Sequence, residues 1–305
     1  MLKYILLYTL IMNALGFLSM GIDKARARKK KWRIREKTLF LIAILGGSIG
    51  SFAGMWVFRH KTRHWYFVLG MPLILIMHLV MCGGVIYYCN DYYRAEKIVR
   101  QDLKSDESVD VYKLKDKTYV FEPEKYEEAL IFYPGGKVDY KAYAPLMKEI
   151  AEGGILCILP HMPANLAVLD SDKAENLKIL YPEVKEWYIS GHSLGGAMAA
   201  GYVKKHAEEY NGLILLGAYS TKNLKKTGLK VLTIYGSEDG VLNLEKYESN
   251  KKNLPEDRKE IILEGGCHSF FARYGMQEGD GKPTITNTEQ IEKTTKEIVK
   301  FIKNN

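Results

Sequence analysis

Ser193 stands in Gly191-His192-Ser193-Leu194-Gly195, inside the stretch WYISGHSLGGAMAAGY at residues 187–202. A β-branched and aromatic run breaks there into glycines and then into small helix formers, which predicts a sharp strand-to-helix turn with the serine at its apex. Glycines at both flanks matter because such a turn leaves no room for side chains beside the hydroxyl, and the helix start aims free N–H groups and a positive dipole end at it. The chemistry this suits is attack on a carbonyl. A serine hydroxyl attacks only when a base takes its proton, so a histidine is required. Among seven histidines, His60, His64 and His78 fall in the apolar N-terminal third, and His192 lies within the turn and is expected to point away. His206 beside Lys204 and Lys205 is expected to be solvated, and His161 follows a strand end where it could line a pocket. His268, in GGCHSFF just after a late apolar run, is the predicted base. The acid that orients it is expected in YGSEDG, at Asp239 with Glu238 the neighbouring alternative. An oxyanion needs backbone donors; FYPGGK supplies Gly136 or Lys137, paired with the N–H of Leu194. The competing reading of each glycine pair is a tight turn and nothing more.

These side chains are far apart in sequence, so the elements between them must bring them to one edge. VDVYKL and TYVFEP flank a polar turn at 115–117 and predict an antiparallel hairpin at the edge of a sheet. ALIFYPGG (129–136), GILCILPHM, EWYISGHS, GLILLGAYS, LKVLTIYGSEDG and EIILEGGCHSFF read as buried strands, with helices expected at 139–152, 171–180 and 194–209. Thr286 and Glu289 form a capping box ahead of Ile291, Ile298, Phe301 and Ile302, marking a terminal helix. Continuous apolar strands alternating with helices predict an α/β fold with a doubly wound, mostly parallel sheet covered on both faces. In such sheets chemistry sits at the carboxyl ends of the strands. The link between GLILLGAYS and the next strand is too short for an inserted cap domain, so the expected site is open, lined by Met162, Leu166, Tyr219 and Phe270.

The first third of the chain differs in kind. Residues 1–94 carry 14 Lys/Arg against Asp23, Glu36 and Asp91, a net of +11; the chain total of +8 leaves −3 for the remainder. The basic pI therefore gives no reason to expect nucleic-acid binding by the rest. Residues 4–22, 38–58 and 65–89 contain no Asp, Glu, Lys or Arg, and each is long enough for a transmembrane helix. The basic run after the first stretch argues against a cleaved signal peptide. Three full spans would place the nine Lys/Arg of residues 23–37 inside, the RHKTRH loop (59–64) outside and the C-terminal part inside. If the second stretch is instead re-entrant, the C-terminal part moves outside. Gly46, Gly50 and Gly54 recur every fourth residue there, a ridge against which another helix can pack. DYYRAEKIVRQDLKSDES then reads as an amphipathic helix leading off the membrane. His60 and His64 could bind a metal, but among Arg59, Lys61 and Arg63 they are expected to meet lipid head groups. Cys82, Cys89, Cys157 and Cys267 have no disulfide or zinc spacing and are expected to be reduced.

The stretches ALIFYPGGKVDYKAYAPL, GHSLGGAMAA, YGSEDGVLN and GGCHSFFARYGMQEGDG resemble the α/β-hydrolase superfamily, in its small dienelactone-hydrolase-like branch, over residues 91–303. The chain order Ser193, Asp239, His268 is that superfamily's triad order. Ser193 stands where dienelactone hydrolase itself has a cysteine, which separates the chain from that enzyme's substrate. DKARA, WRIREKTL, GGSIGSFAGM and RHKTRH resemble a second family, the bacterial membrane proteins of unknown function called DUF1294, over residues 1–85. The expectation is thus a transmembrane domain of about three helices at 1–90, then a hydrolase domain at 91–305. It implies a membrane-anchored, carboxylesterase-like serine hydrolase of acyl substrates with no cofactor and no metal, in contact with membrane lipids. The alternative is a non-catalytic scaffold or lipid-handling module whose hydrolase fold binds or regulates. Oligomeric state is not legible.

Overall fold

The glycine spacing of the second apolar stretch marks where the chain turns back on itself. In the computed structural model, which describes residues 2–304, the chain divides into two compact units, Met1–Tyr88 and Cys89–Asn305. The first contains α1 (Leu2–Arg28), α2 (Glu36–Ile42), α3 (Ser48–Val57) and the greater part of α4 (Trp65–Asn90). Three helical segments, Tyr4–Arg28, Glu36–Val57 and Trp65–Asn90, are long and apolar enough to cross a membrane. The middle one is broken: between α2 and α3, Leu45 (φ −74°, ψ 16°) and Gly46 (φ 108°, ψ −1°) leave the helical region. Only glycine adopts the second of those conformations without strain.

Side-chain contacts show what the break does. Glu36, at the start of α2, bonds the Lys61 ammonium, and His60, just past α3, pairs with Asp23 near the end of α1 at 2.7 Å. Lys24 Nζ donates to the Arg59 carbonyl at 2.8 Å. Both ends of the 36–57 segment thus meet the Asp23 end of α1. The break itself meets Tyr8 and Asn13, about 15–22 Å further along α1 at 1.5 Å per residue. Tyr8 donates to the Leu45 carbonyl at 2.7 Å, and Asn13 donates to Gly46 O at 3.0 Å while accepting the Gly50 N–H at 2.8 Å. The segment is a helical hairpin, and the loops at 23–37 and 59–64, expected on opposite faces under three full spans, lie at one end. The segment runs out along α1 and back, with Gly46 at the turn. Gly50 lies so close to the Asn13 backbone that a Cβ would collide with it, so this face packs as the glycine ridge implied. Gly46 belongs to the tip rather than to the ridge. His60 is buried rather than placed at lipid head groups, because Asp23 holds it inside.

In the second unit, chain leading away from α4 docks in extended form instead of forming the expected amphipathic helix; a single 3₁₀ turn covers Lys97–Arg100. Backbone pairing decides this, with Tyr93 N–H bonded to Lys137 O at 2.8 Å and Asp139 N–H to Tyr93 O at 2.8 Å. Eight strands follow: β1 (Val109–Lys113), β2 (Tyr119–Pro123), β3 (Glu128–Tyr133), β4 (Leu156–Leu159), β5 (Glu186–His192), β6 (Gly212–Leu216), β7 (Lys230–Gly236) and β8 (Lys259–Leu263). They form one sheet in the order β1-β2-β4-β3-β5-β6-β7-β8, in which β2 runs antiparallel to both its neighbours, β1 and β4, and the other pairings are parallel. The helices are α5 (Ala144–Glu152), α6 (Lys173–Lys178), α7 (Leu194–Val203), α8 (Leu244–Asn250) and α9 (Asn287–Lys303). Thr286 and Glu289 cap α9 reciprocally. Alternate side chains of β3 enter two cores: Leu130 and Phe132 join Tyr143 and Ile298 on one face, while Ile131 and Tyr133 join Ala199 and Leu213 on the other. That two-sided burial is the signature of a parallel sheet covered by helices on both faces. α7 is shorter than expected, ending at Val203 before a 3₁₀ turn at Ala207–Glu209.

Candidate active site

The carboxyl ends of β3, β5, β6, β7 and β8 carry every residue the sequence singled out for chemistry. Ser193 joins β5 to α7 at φ 52°, ψ −122°, a conformation that costs a non-glycine residue about 1–3 kcal/mol. The turn is held by its Ser193 N–H, which donates to Leu216 O at the end of β6 at 2.9 Å. Leu194 opens α7, so its N–H has no acceptor within the helix.

Asp239 follows β7 and is buried. Its Oδ1 accepts the N–H groups of Val241 at 3.0 Å and Leu242 at 2.7 Å, while Oδ2 lies 2.8 Å from His268 Nδ1. An ionised carboxylate so placed assigns the imidazole proton to Nδ1 and leaves Nε2 as the acceptor. That Nε2 is buried with no hydrogen-bond partner among the described residues. The Ser193 hydroxyl forms no hydrogen bond to it at rest, a common state for such pairs before a substrate tightens them. The pair rests on Gly217, at the turn after β6. Gly217 has φ 51°, and a Cβ there would come within 2.9 Å of His268 Nδ1 and 3.2 Å of Asp239 Oδ2. Glu238, the alternative acid, is exposed and bonded to Ser237 at 3.1 Å.

Three placements differ from the sequence reading. His192 does not point away from the site: it is 1% exposed, and its ring centroid is 4.4 Å from that of His268. As the last residue of β5, it turns its side chain toward Tyr143 and Phe271, where the His268 ring also packs. Tyr143 accepts the Gly135 N–H at 3.0 Å, and its hydroxyl is hydrogen-bonded to His192 Nδ1 at 2.7 Å. Burial, reinforced by the neighbouring His268, holds His192 far below the ordinary imidazole pKa. It therefore stays neutral and places no positive charge beside His268. Second, the Lys137 N–H is already bonded to Asn165 O at 2.9 Å. Of the two oxyanion positions considered in FYPGGK, Gly136 is the one whose N–H has no partner among the described residues. Third, Met162 is 1% exposed and belongs to the core rather than to a pocket wall, because it follows β4 directly into the inner layer.

Leu166 is half-buried and faces Gly136, while Tyr219 and Phe270 are half-buried, Tyr219 against Leu242 and its neighbours. His161 packs edge-on against Tyr140 at 5.1 Å. Burial pushes the Cys267 thiol up to about 12, which makes it an inert neighbour of His268. Among the described residues no group of three His, Cys, Asp or Glu could hold a metal ion.

One carboxylate was overlooked in the sequence. Asp280 Oδ1 accepts the Gly240 and His268 N–H groups at 3.1 and 3.2 Å, and Oδ2 accepts the Ser269 N–H and hydroxyl at 2.7 and 2.6 Å. It thereby ties the loop bearing Asp239 to the loop bearing His268. Burial works against its charge, but the bonds from Ser269, Gly240 and His268 outweigh that and hold its pKa below the ordinary 3.8. The available signal was an acid set between glycines in EGDGK, shortly after the histidine.

A family model described as the Alpha/beta hydrolase family matches residues 129–292. The chain belongs to the alpha/beta hydrolase family. Among solved structures, a mutant VrEH2 in complex with SNO superposes with a TM-score of 0.50 at 12% identity, covering 66% of this chain and 100% of its own. Dienelactone hydrolase from Anabaena variabilis superposes at 0.47 with 13% identity, covering 62% and 97%. A second model, Protein of unknown function (DUF1294), matches residues 13–67. Uncharacterized protein YsdA of Bacillus subtilis (strain 168) is 47% identical over 81 residues, 27% of this chain and 89% of that protein. The N-terminal third is thus related to a protein that is little more than that third alone, which fits an independent unit joined to a hydrolase.

Proposed function

We propose that this hydrolase is a membrane-anchored serine hydrolase that cleaves an ester or related acyl bond of a small substrate. The observation that carries the reading is the buried Asp239–His268 pair, whose Nε2 is left without a partner beside the strained Ser193 turn. Ser193 Oγ attacks the carbonyl carbon as His268 Nε2 takes its proton. Asp239 holds the imidazole and stabilises its positive charge, and the N–H groups of Leu194 and Gly136 hold the oxyanion. His268 returns the proton to the leaving alcohol, and water, activated the same way, releases the acid. A fluorophosphonate probe tests this: wild type should be labelled and Ser193→Ala should not, with ester hydrolysis falling by at least about 10³-fold. Folded wild-type protein that resists the probe would leave the scaffold reading in its place.

The same proposal extends to membrane side. With 36–57 folded back as a hairpin, α1 and α4 are the two crossings. Twelve Lys/Arg of the loops at 23–37 and 59–64 then share one face, against Lys3, Arg94, Lys97, Arg100 and Lys104 on the other. The positive-inside bias makes the first face cytoplasmic and residues after 90 extracytoplasmic, where the substrate would be met. A reporter active only outside the cytoplasm, fused after residue 95, should be active. An impermeant maleimide should reach Lys30→Cys and Thr62→Cys from the same side, and labelling from opposite sides would restore three full spans.

A further inference from the structure

The first unit holds a cavity of its own at its basic end, of about 610 Å³, lined by the side chains of Lys24, Arg28, Arg33, Arg59, Lys61 and Arg63 together with both histidines of RHKTRH. The positive-inside bias explains why these loops are basic, but not why their cations converge on a concave space. Convergence has a specific cause here. Asp23 is buried and binds three partners from two loops: His60 Nε2 at 2.7 Å, Arg33 at 3.2 Å and the Ile34 N–H at 2.8 Å. Glu36 bonds Lys61, whose side chain is 4% exposed. Those two carboxylates pin the walls and neutralise two of the six cations. Arg28 and Arg63 form no ion pair or side-chain hydrogen bond among the described residues, and Arg59 contributes only its carbonyl, to Lys24.

We infer that this cavity is a binding site for a phosphate group. Like charges gathered around one polar space repel, and a cleft of one sign concentrates counter-ions. The preferred occupant is an anion with several acceptor oxygens, because guanidinium groups bind such oxygens in pairs and an ammonium binds them as a point charge. A carboxylate offers two oxygens to four uncompensated cations; a phosphate offers up to four oxygens and a second charge. A free phosphate has all of these; the phosphodiester of an anionic phospholipid keeps two unesterified oxygens and one charge, and shares the recognised group while being held at the membrane surface where basic pockets collect such head groups. The inference is separate from the hydrolase reading, since it uses no residue beyond His64.

Full-length protein in neutral detergent is the material for the test. Melting is followed with inorganic phosphate, with chloride at equal ionic strength, and after transfer to nanodiscs with or without phosphatidylglycerol. A rise of roughly 2–4 °C with phosphate over chloride supports a free ligand. A rise confined to phosphatidylglycerol nanodiscs supports a lipid head group. In either case Arg28→Gln with Arg63→Gln should weaken the midpoint concentration, or lipid dose, by roughly tenfold or more, whereas Arg26→Gln, on α1 but outside the cavity, should retain the response. Equal stabilisation by phosphate and chloride with no lipid effect, or equal loss in Arg26→Gln, would overturn the proposal.

Discussion

Each unit buries one carboxylate against one imidazole, and what surrounds the two pairs separates their uses. In the hydrolase unit Asp239 spends one oxygen on two backbone N–H groups and the other on His268 alone, leaving the far imidazole nitrogen without a partner. In the N-terminal unit Asp23 shares the oxygen that meets His60 with Arg33 and gives the other to the Ile34 N–H. The first pair keeps an unsatisfied nitrogen at the sheet edge that carries the strained Ser193 turn. The second joins loops and lines a cationic cavity. A His–Asp contact is thus not by itself a sign of catalysis; the free valence and what lies beside it decide.

The largest test of this contrast is a matched pair of amide substitutions. Asp239→Asn should lower kcat for ester hydrolysis by about 10⁴-fold, since the amide favours the wrong imidazole tautomer. Asp23→Asn should leave kcat per folded molecule unaltered and cost the N-terminal unit about 2–3 kcal/mol in denaturation. If both variants lose turnover equally, the distinction between the pairs collapses. A smaller effect is expected at Asp280, which touches no substrate and acts through the loops it joins. Asp280→Asn should reduce kcat/KM by roughly 10- to 100-fold through misplacement of His268, while Ser193 still reacts, slowly, with a fluorophosphonate.

Asp280 also carries a pH signature. Its folded-state pKa lies below its ordinary 3.8, so its stabilising contribution is complete above that value and is lost as pH falls through the folded-state value. The stability gap between wild type and Asp280→Asn should therefore be widest near neutral pH and narrow below about pH 4. A gap that persists undiminished in acid would show that the amide harms packing rather than charge. The smallest predicted effect is at the hairpin tip, where Gly46→Ala, forced to φ 108°, should cost about 1–3 kcal/mol and leave fluorophosphonate labelling intact.

The parallel sheet and the order of its chemistry were readable because both follow local rules. Continuous apolar strands, glycines at their ends and a capping box each depend on neighbours in sequence, and Ser193, Asp239 and His268 fall at the strand ends those rules mark. What local rules could not supply was direction. His192 was expected to point away because it neighbours the serine, yet its ring packs against that of His268. Lys137 and Gly136 were equivalent until Asn165 occupied one N–H. The return of the 36–57 segment was equally hidden in hydropathy. Two isolated acids in basic loops, Asp23 and Glu36, were the available sign that those loops answer each other.

The hairpin tip has a consequence for how the first unit is made. Carbonyls freed by the break at residues 44–46 are answered by Tyr8 and Asn13 from α1 and by His78 from α4, at 2.7, 3.0 and 3.1 Å. Unanswered, each would cost several kcal/mol in hydrocarbon. During synthesis α1 is present when the hairpin emerges, but His78 is not, and Ile44 must wait for it. The tip is therefore fully answered only when α1 and α4 are both packed against it, so the fold of this unit is closed by its last helix rather than by the hairpin's own neighbours in sequence.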